Sequence, residues 1–186
     1  MFLLFIACVA TTNEDTVDIE DETVVVGAPE SLTSINPDTL PQSSSPCRAP
    51  EMVEITHVVD GDTVDVVAKW GGETVRMIGL NSPEVGHGGD QGDCFGRESA
   101  DYANEKLSGT WAWLSFDLEC EDQYGRTLAY VTISDDPILG FFQRDLLRQG
   151  LAEDYRFEPN VSYAELFSAD EAYAKNRDIG MWGQCD

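Results

Sequence analysis

Apolar and polar residues alternate along much of the chain after residue 50, which is the pattern of half-buried β-strands. Five segments with this pattern predict strands: 51–60, 63–70, 71–80, 110–120 and 126–133. Gly61 separates the first two segments, and the Gly71-Gly72 pair begins the third. Because glycine accepts the backbone conformations of tight turns, these positions predict short connections between neighbouring strands.

Three further segments have apolar residues at helical spacing. The spacing of Ala100, Ala103 and Leu107 predicts a helix over 97–107, and Gly109 lies just beyond its end. Residues 138–150 and 163–182 predict two more helices. Three strands, one helix, two strands and two helices in this order predict a single α+β domain over residues 51–186.

The segment before this domain has a different composition. Residues 9–50 are rich in Thr, Ser, Pro, Asp and Glu and contain one basic residue, Arg48. Such a segment buries too little apolar surface to offset the entropy that ordering it would cost. We therefore predict a disordered acidic linker over residues 9–50.

Residues 1–8, MFLLFIAC, are apolar but too short to span a bilayer, and they lack the basic start of an export signal. The ending FIAC resembles the lipobox of bacterial lipoproteins, in which the cysteine is lipidated after cleavage. This interpretation predicts lipidation of Cys8, a membrane anchor and a start site upstream of Met1. The alternative is the remnant of an ordinary signal peptide. Both predict export, either to the membrane surface or into the cell envelope and medium.

The number of cysteines fits an exported protein. There are five, so lipidation of Cys8 leaves enough for two disulfides, which are stable outside the reducing cytosol. Four cysteines allow three pairings. We favour Cys47 with Cys185, joining the ends of the domain, and Cys94 with Cys120.

Charge is the unusual property of the composition. The chain has 35 acidic and 11 basic residues, giving a formal net charge of −24. A surface of this kind repels polyanions, which argues against binding of nucleic acid by simple electrostatic attraction.

Several polar side chains interrupt the apolar pattern of the strands. Asp60 and Asp62 follow the first strand, Arg76 lies inside the third, and Arg126 begins the fifth. An arginine within a strand needs an anionic partner, and two guanidinium groups can hold phosphate oxygens bidentately. Clustered carboxylates beside them imply a hard cation such as Ca²⁺. Glu84, directly after Pro83, is then a candidate general base for a water.

Five stretches of sequence make this interpretation specific. They are VVDGDTVDVV, VRMIGLNSPE, CFGRESADYA, EDQYGRTLAYV and LLRQGLA. They resemble, in order, successive blocks of the staphylococcal nuclease-like (thermonuclease) family, and the resemblance covers residues 52 to about 182. It implies an OB-fold five-stranded β-barrel with three helices and Ca²⁺-dependent cleavage of DNA or RNA phosphodiester bonds. It also implies in-line attack by water, 3′-phosphate products and a monomeric protein.

The resemblance assigns roles residue by residue. The metal ligands would be Asp62, Asn81 and the carbonyl of Ser82, with Asp60 close by but not a ligand. Glu84 would be the general base, while Arg76 and Arg126 would bind the phosphate. The nucleotide would lie against the aromatic side chains of Tyr124, Tyr155 and Phe157. The family usually has aspartate, threonine and tyrosine where this chain has Asn81, Ser82 and Phe157.

Other interpretations of these residues remain open. Arg76 could form only a structural ion pair, and Tyr155 and Phe157 could contribute only packing. Domains of this family also serve as non-catalytic modules that bind protein or oligonucleotide. The presence of Arg76, Glu84 and Arg126 together favours the enzyme, because a binding module has no need for all three.

Overall fold

The protein is described by a computed structural model that covers residues 27–69, 71–86, 88 and 91–185. A 3₁₀ turn lies at Pro37–Thr39. The helices and strands, in chain order, are α1 (Glu30–Thr33), β1 (Glu51–Val58), β2 (Thr63–Ala68), β3 (Gly71–Met77), β4 (Leu80–Asn81), α2 (Gly96–Leu107), β5 (Trp111–Ser115), β6 (Thr127–Thr132), α3 (Phe142–Arg148), β7 (Glu153–Asp154), α4 (Ala164–Lys175) and α5 (Met181–Gln184).

Five of the strands form a closed barrel in the order β1-β2-β3-β6-β5. The pairs β1–β2, β2–β3, β1–β5 and β5–β6 are antiparallel, whereas β3 and β6 are parallel. The five predicted strands and the α+β class are therefore confirmed. The two-residue strands β4 and β7 pair with each other outside the barrel, and the sequence did not predict them.

The barrel interior explains why the sequence forms these strands. Alternate residues such as Val53 and Ile55 in β1, Val64 and Val66 in β2, and Val75 in β3 are almost fully buried. Each buried aliphatic side chain of this size contributes about 1.5–3 kcal/mol relative to exposure. In β1 and β2 the opposite face carries more exposed residues such as Glu54 and Asp65, whereas all residues of β6 are buried.

The three predicted helices are α2, α3 and α4. The last two are held together by Asp170 of α4, which is buried and pairs with Arg144 at 2.6 Å and Arg148 at 2.9 Å, both in α3. A buried carboxylate that meets two guanidinium groups has its charge compensated locally. These helices in turn anchor β7, because the Asp154 amide donates to Glu171 of α4 at 3.0 Å.

The segment from 29 to 50 differs from the predicted disordered linker. We call these residues the N-terminal strap, because they pack along β5 and bury Leu32 and Leu40. The Trp113 indole donates to the Leu32 carbonyl at 2.9 Å, and the Ser43 amide donates to the Phe116 carbonyl at 3.1 Å. Two buried leucines and these hydrogen bonds hold this polar segment against the barrel, although its composition predicted disorder.

The four cysteines that the sequence assigned to disulfides are paired, but not as predicted. Cys47 bonds to Cys120 and Cys94 to Cys185, with Cα–Cα distances of 5.7 and 5.9 Å. The predicted Cys47–Cys185 and Cys94–Cys120 pairs were wrong because the strap runs back along β5. There the Cys47 amide donates to the Asp117 carbonyl at 2.7 Å, which brings Cys47 beside Cys120.

The predictions for residues 1–8 and 9–26, including lipidation of Cys8, lie outside the described residues. Among the residues that are described, none of the helices has the length and apolar composition needed to cross a membrane.

Candidate active site

The turn between β1 and β2 carries two of the aspartates. The Asp62 amide donates to Asp60 Oδ1 at 3.0 Å, so Asp60 stabilises the turn itself. Between them, Gly61 is packed so closely that an added Cβ would lie 2.1 Å from Ser99 Oγ and 2.6 Å from Ser82 Cβ. The turn therefore requires glycine, and it fixes Asp62 against the segment that carries Ser82.

Asp62 is a buried carboxylate with several partners. Its Oδ2 accepts from the Ser82 amide at 2.7 Å and pairs with Arg76 Nη1 at 3.1 Å, while its Oδ1 accepts from Thr63 Oγ1 at 3.0 Å. Burial raises the pKa of Asp62 to about 6, with Arg76 opposing this shift and Asp60 adding to it. A cationic ligand at this carboxylate would favour its ionised form.

Arg76 lies in β3 and points toward the same cluster. Its Nη1 donates to the carbonyls of Met77 at 2.7 Å and Leu80 at 3.1 Å, and its Nη2 donates to Asn81 Oδ1 at 3.0 Å. One guanidinium therefore connects Asp62 with Asn81. Arg76 therefore has a carboxylate partner, Asp62, within the protein. This is the structural ion pair that the sequence left open as the alternative to phosphate binding.

Asn81 and Ser82 are held in place by the small β4–β7 sheet. Asn81 pairs with Glu153 in this sheet, and the Tyr155 amide donates to the Gly79 carbonyl at 3.2 Å. The same contact brings Tyr155, whose side chain is 52% exposed, to this side of the barrel. Phe157 instead packs against the hydrophobic core, which favours the packing role for this residue.

Glu84 follows Pro83 and is exposed. Its amide donates to Asp93 Oδ2 at 3.1 Å, and its carbonyl accepts from the Asp93 amide at 2.9 Å. Within the described part of the chain, its own carboxylate has no hydrogen bond or ion pair.

Arg126 immediately precedes β6. The parallel register pairs Arg76 with Leu128, which follows Arg126 by two residues. The Arg126 Nε donates to Asp122 Oδ2 at 2.7 Å, and its guanidinium carbon lies 5.5 Å from the centre of the Tyr124 ring. Tyr124 is 75% exposed, so it presents an open aromatic face beside the arginine.

The donors at this site suit a hard cation. They are the Asp62 carboxylate, the Asn81 amide oxygen and the Ser82 carbonyl, all of them oxygens of the kind that Ca²⁺ and Mg²⁺ bind. In the described ranges, no cluster of three or more His, Cys, Asp or Glu side chains is placed to hold a metal. The donor atoms are thus of the type that hard divalent cations bind, and they include one carboxylate, that of Asp62.

Three supporting residues were missed by the sequence reasoning. Asp93 binds the main chain of Glu84, Asp122 binds Arg126, and the buried Ser99 hydroxyl lies against Gly61. Asp122 could have been found, because it precedes Arg126 by four residues in the DQYGR stretch. Asp93 and Ser99 carry no such signal, since their contacts depend on how the loop after Glu84 returns to α2.

Comparisons with known proteins identify the family of the chain. The family model "Staphylococcal nuclease homologue" matches residues 74–184. The thermonuclease of Staphylococcus intermedius is 30% identical over 141 residues, which are 76% of this chain and 81% of that protein. The thermonuclease of Staphylococcus hyicus is 30% identical over 129 residues, 69% of this chain and 74% of that protein. Endonuclease YncB of Bacillus subtilis (strain 168) is 31% identical over 134 residues, 71% of this chain and 62% of that protein. The chain belongs to the staphylococcal nuclease family and is a nuclease hydrolase of that type.

Proposed function

We propose that this protein is a Ca²⁺-dependent endonuclease that hydrolyses phosphodiester bonds of DNA or RNA by in-line attack of water and leaves 3′-phosphate products. The observation that carries the proposal is the arrangement around Arg76. Its guanidinium contacts both Asp62 and Asn81, and its register partner in β6, Leu128, follows Arg126 by two residues. Two arginines and a set of oxygen ligands thus share one edge of the barrel.

Asp62, Asn81 and the carbonyl of Ser82 are the groups that would hold the calcium ion. When bound, the ion supplies positive charge that offsets the negative charge developing on the phosphate oxygens. The positive charge of the ion would also reduce the repulsion between nucleic acid and a protein with a net charge of −24.

The two arginines bind the phosphate in this proposal. Arg126 has its Nε turned to Asp122, which leaves its two terminal nitrogens for phosphate oxygens. Arg76 is 15% exposed and directs Nη2 to the Asn81 amide oxygen, a neutral acceptor that a phosphate oxygen can replace. Both groups stabilise the extra charge of the pentavalent transition state more than that of the ground state.

Glu84 acts as the general base. It orients the attacking water and takes its proton, the new bond forms between the water oxygen and phosphorus, and the bond to the 5′ oxygen breaks. The phosphate then remains on the 3′ side of the cleaved bond. Tyr124 and Tyr155, both exposed beside the site, provide faces on which bases can stack.

The test is a nuclease assay on DNA and RNA with Ca²⁺, with Mg²⁺ and with a chelator, followed by end-group analysis of the products. Glu84→Gln and Arg126→Ala should each lower kcat by about a hundredfold or more. Glu84→Gln should leave thermal unfolding unchanged, whereas Arg126→Ala also removes the ion pair of Asp122, whose side chain is 4% exposed, and should lower the Tm. Asp101→Ala, an exposed carboxylate of α2, is the matched control. Full activity in chelator, or wild-type kcat in both active-site variants, would contradict the proposal. A folded protein that binds oligonucleotide without cleaving it would instead support a binding module.

A further inference from the structure

Glu84 and Asp93 are joined by two reciprocal hydrogen bonds. The Glu84 amide donates to Asp93 Oδ2 at 3.1 Å, and the Asp93 amide donates to the Glu84 carbonyl at 2.9 Å. We call this pair of bonds the Asp93 clamp. It closes the loop from 84 to 93 at its two ends, so that the position of the Glu84 main chain depends on Asp93.

The sequence of this loop explains why a clamp is needed. Between Glu84 and Asp93 the chain contains four glycines, at positions 86, 88, 89 and 92. Glycine has more backbone freedom than any other residue, so a segment of this composition does not by itself fix its ends. On the other side, Pro83 has a restricted φ and limits the freedom of the chain before Glu84. The hydrogen bond from the Glu84 amide to the Asp93 side chain restrains the chain after Glu84.

The clamp rests on the start of α2. A Cβ added at Gly96 would lie 2.2 Å from the Glu84 carbonyl oxygen, and one added at Gly92 would lie 2.9 Å from the same atom. The Glu84 carbonyl therefore packs directly against Gly96, the first residue of α2. The next residue after Asp93 is Cys94, whose disulfide to Cys185 fixes this part of the chain to the C-terminal end.

We propose that Asp93 is a positioning residue for the reaction: through its hydrogen bond to the Glu84 amide, it holds the Glu84 carboxylate where that group accepts the proton of the attacking water. The proposal rests on the proposed function of Glu84 as general base. Asp93 itself does not touch the substrate in this scheme, because its Oδ2 is engaged by the Glu84 amide. Small displacements of a catalytic group lower turnover strongly while substrate binding is little changed.

The first experiment compares Asp93→Ala with Asp93→Asn in steady-state cleavage of DNA. Asp93→Ala removes the acceptor and should lower kcat about tenfold, with KM changed by less than about twofold. Asp93→Asn keeps an oxygen that can accept from the Glu84 amide, so it should retain kcat within about threefold. Asp93 is exposed, so neither change is expected to unfold the protein, and thermal unfolding checks this. Asp101→Ala serves as the control carboxylate.

The second experiment places Asp93→Ala in a Glu84→Gln background. If Asp93 acts through Glu84, the double variant should be no slower than Glu84→Gln alone, because the group being positioned is already lost. Wild-type kcat in Asp93→Ala, failure of Asp93→Asn to restore turnover, or a full tenfold loss in the double variant would each overturn the proposal. Wild-type activity of Glu84→Gln alone would instead refute the proposed role of Glu84, so the two failures are distinguishable.

Discussion

Glu51 should make the folded protein less stable as the pH rises toward neutrality. Its side chain, at the start of β1, is only 10% exposed, and it faces Arg48 Nη2 at 2.7 Å together with Glu73 and Lys69. Burial raises the pKa of Glu51 to about 7, with Arg48 opposing the shift and Glu73 adding to it. Because the pKa in the folded protein is higher than in the unfolded chain, protonation of Glu51 stabilises the fold.

The sign and size follow from linkage. The stabilisation is fully present below about pH 4.5, which is the ordinary pKa of a glutamate in the unfolded chain. It is lost as the pH rises through about 7, the pKa of Glu51 in the folded protein. Each pKa unit corresponds to about 1.4 kcal/mol, so the difference sets a ceiling of about 3 kcal/mol. Residual solvent contact reduces this. We expect Glu51→Gln to be more stable than wild type by about 2 kcal/mol at pH 8, and equal to it near pH 4.

The assay is thermal unfolding of both proteins between pH 4 and pH 9, with Glu54→Gln as control. Glu54 lies on the same strand but is exposed, so its replacement should give no such trend. For a chain of this size, about 2 kcal/mol corresponds to an increase in Tm of about 4–8 °C. The reasoning is refuted if the difference in stability between Glu51→Gln and wild type is the same at pH 5 and pH 8.

Three other predictions concern the metal, the disulfides and the N-terminus. Asn81→Asp should tighten Ca²⁺ binding about tenfold, or about 1.4 kcal/mol, in calorimetry without substrate; an unchanged Kd would remove Asn81 from the ligand set. Non-reducing peptide mapping should recover Cys47–Cys120 and Cys94–Cys185, and Cys47→Ser with Cys120→Ser should lower the free energy of unfolding by about 2–4 kcal/mol. If Cys8 is lipidated, the protein made in a bacterial host should partition into detergent and the Cys8→Ser variant into water, whereas equal partitioning would contradict the anchor.

The barrel could be predicted from the sequence because its strands depend on local alternation. Val64 and Val66 face inward and Asp65 does not, and this pattern is visible in three adjacent residues. The grouping of Asp62 with Arg76 was also predictable, since a charged residue within a strand must meet its counter-charge somewhere.

The disulfide pairing and the strap could not be predicted in the same way. Both depend on the path that residues 29–50 take across β5, and this path is set by side-chain contacts distant in sequence, such as that of Trp113 with Leu32. The Asp93 clamp has the same origin, because it joins two ends of a loop whose glycines give no directional signal. Contacts of single residues with partners distant in sequence therefore could not be predicted from the sequence.

The strap also determines how the protein responds to a mechanical pull at its N-terminal end. Such a pull acts first on residues 29–46, which are held by the buried Leu32 and Leu40 and by hydrogen bonds. Between residue 27 and Cys47 the chain has a contour length of about 70 Å at about 3.5 Å per residue, which is the longest that it can become when drawn out. At Cys47 the load divides between the main chain, which continues to Glu51 of β1, and the disulfide to Cys120 in the connection between β5 and β6. The strap is thus a segment of limited extensibility with a covalent cross-link at its end.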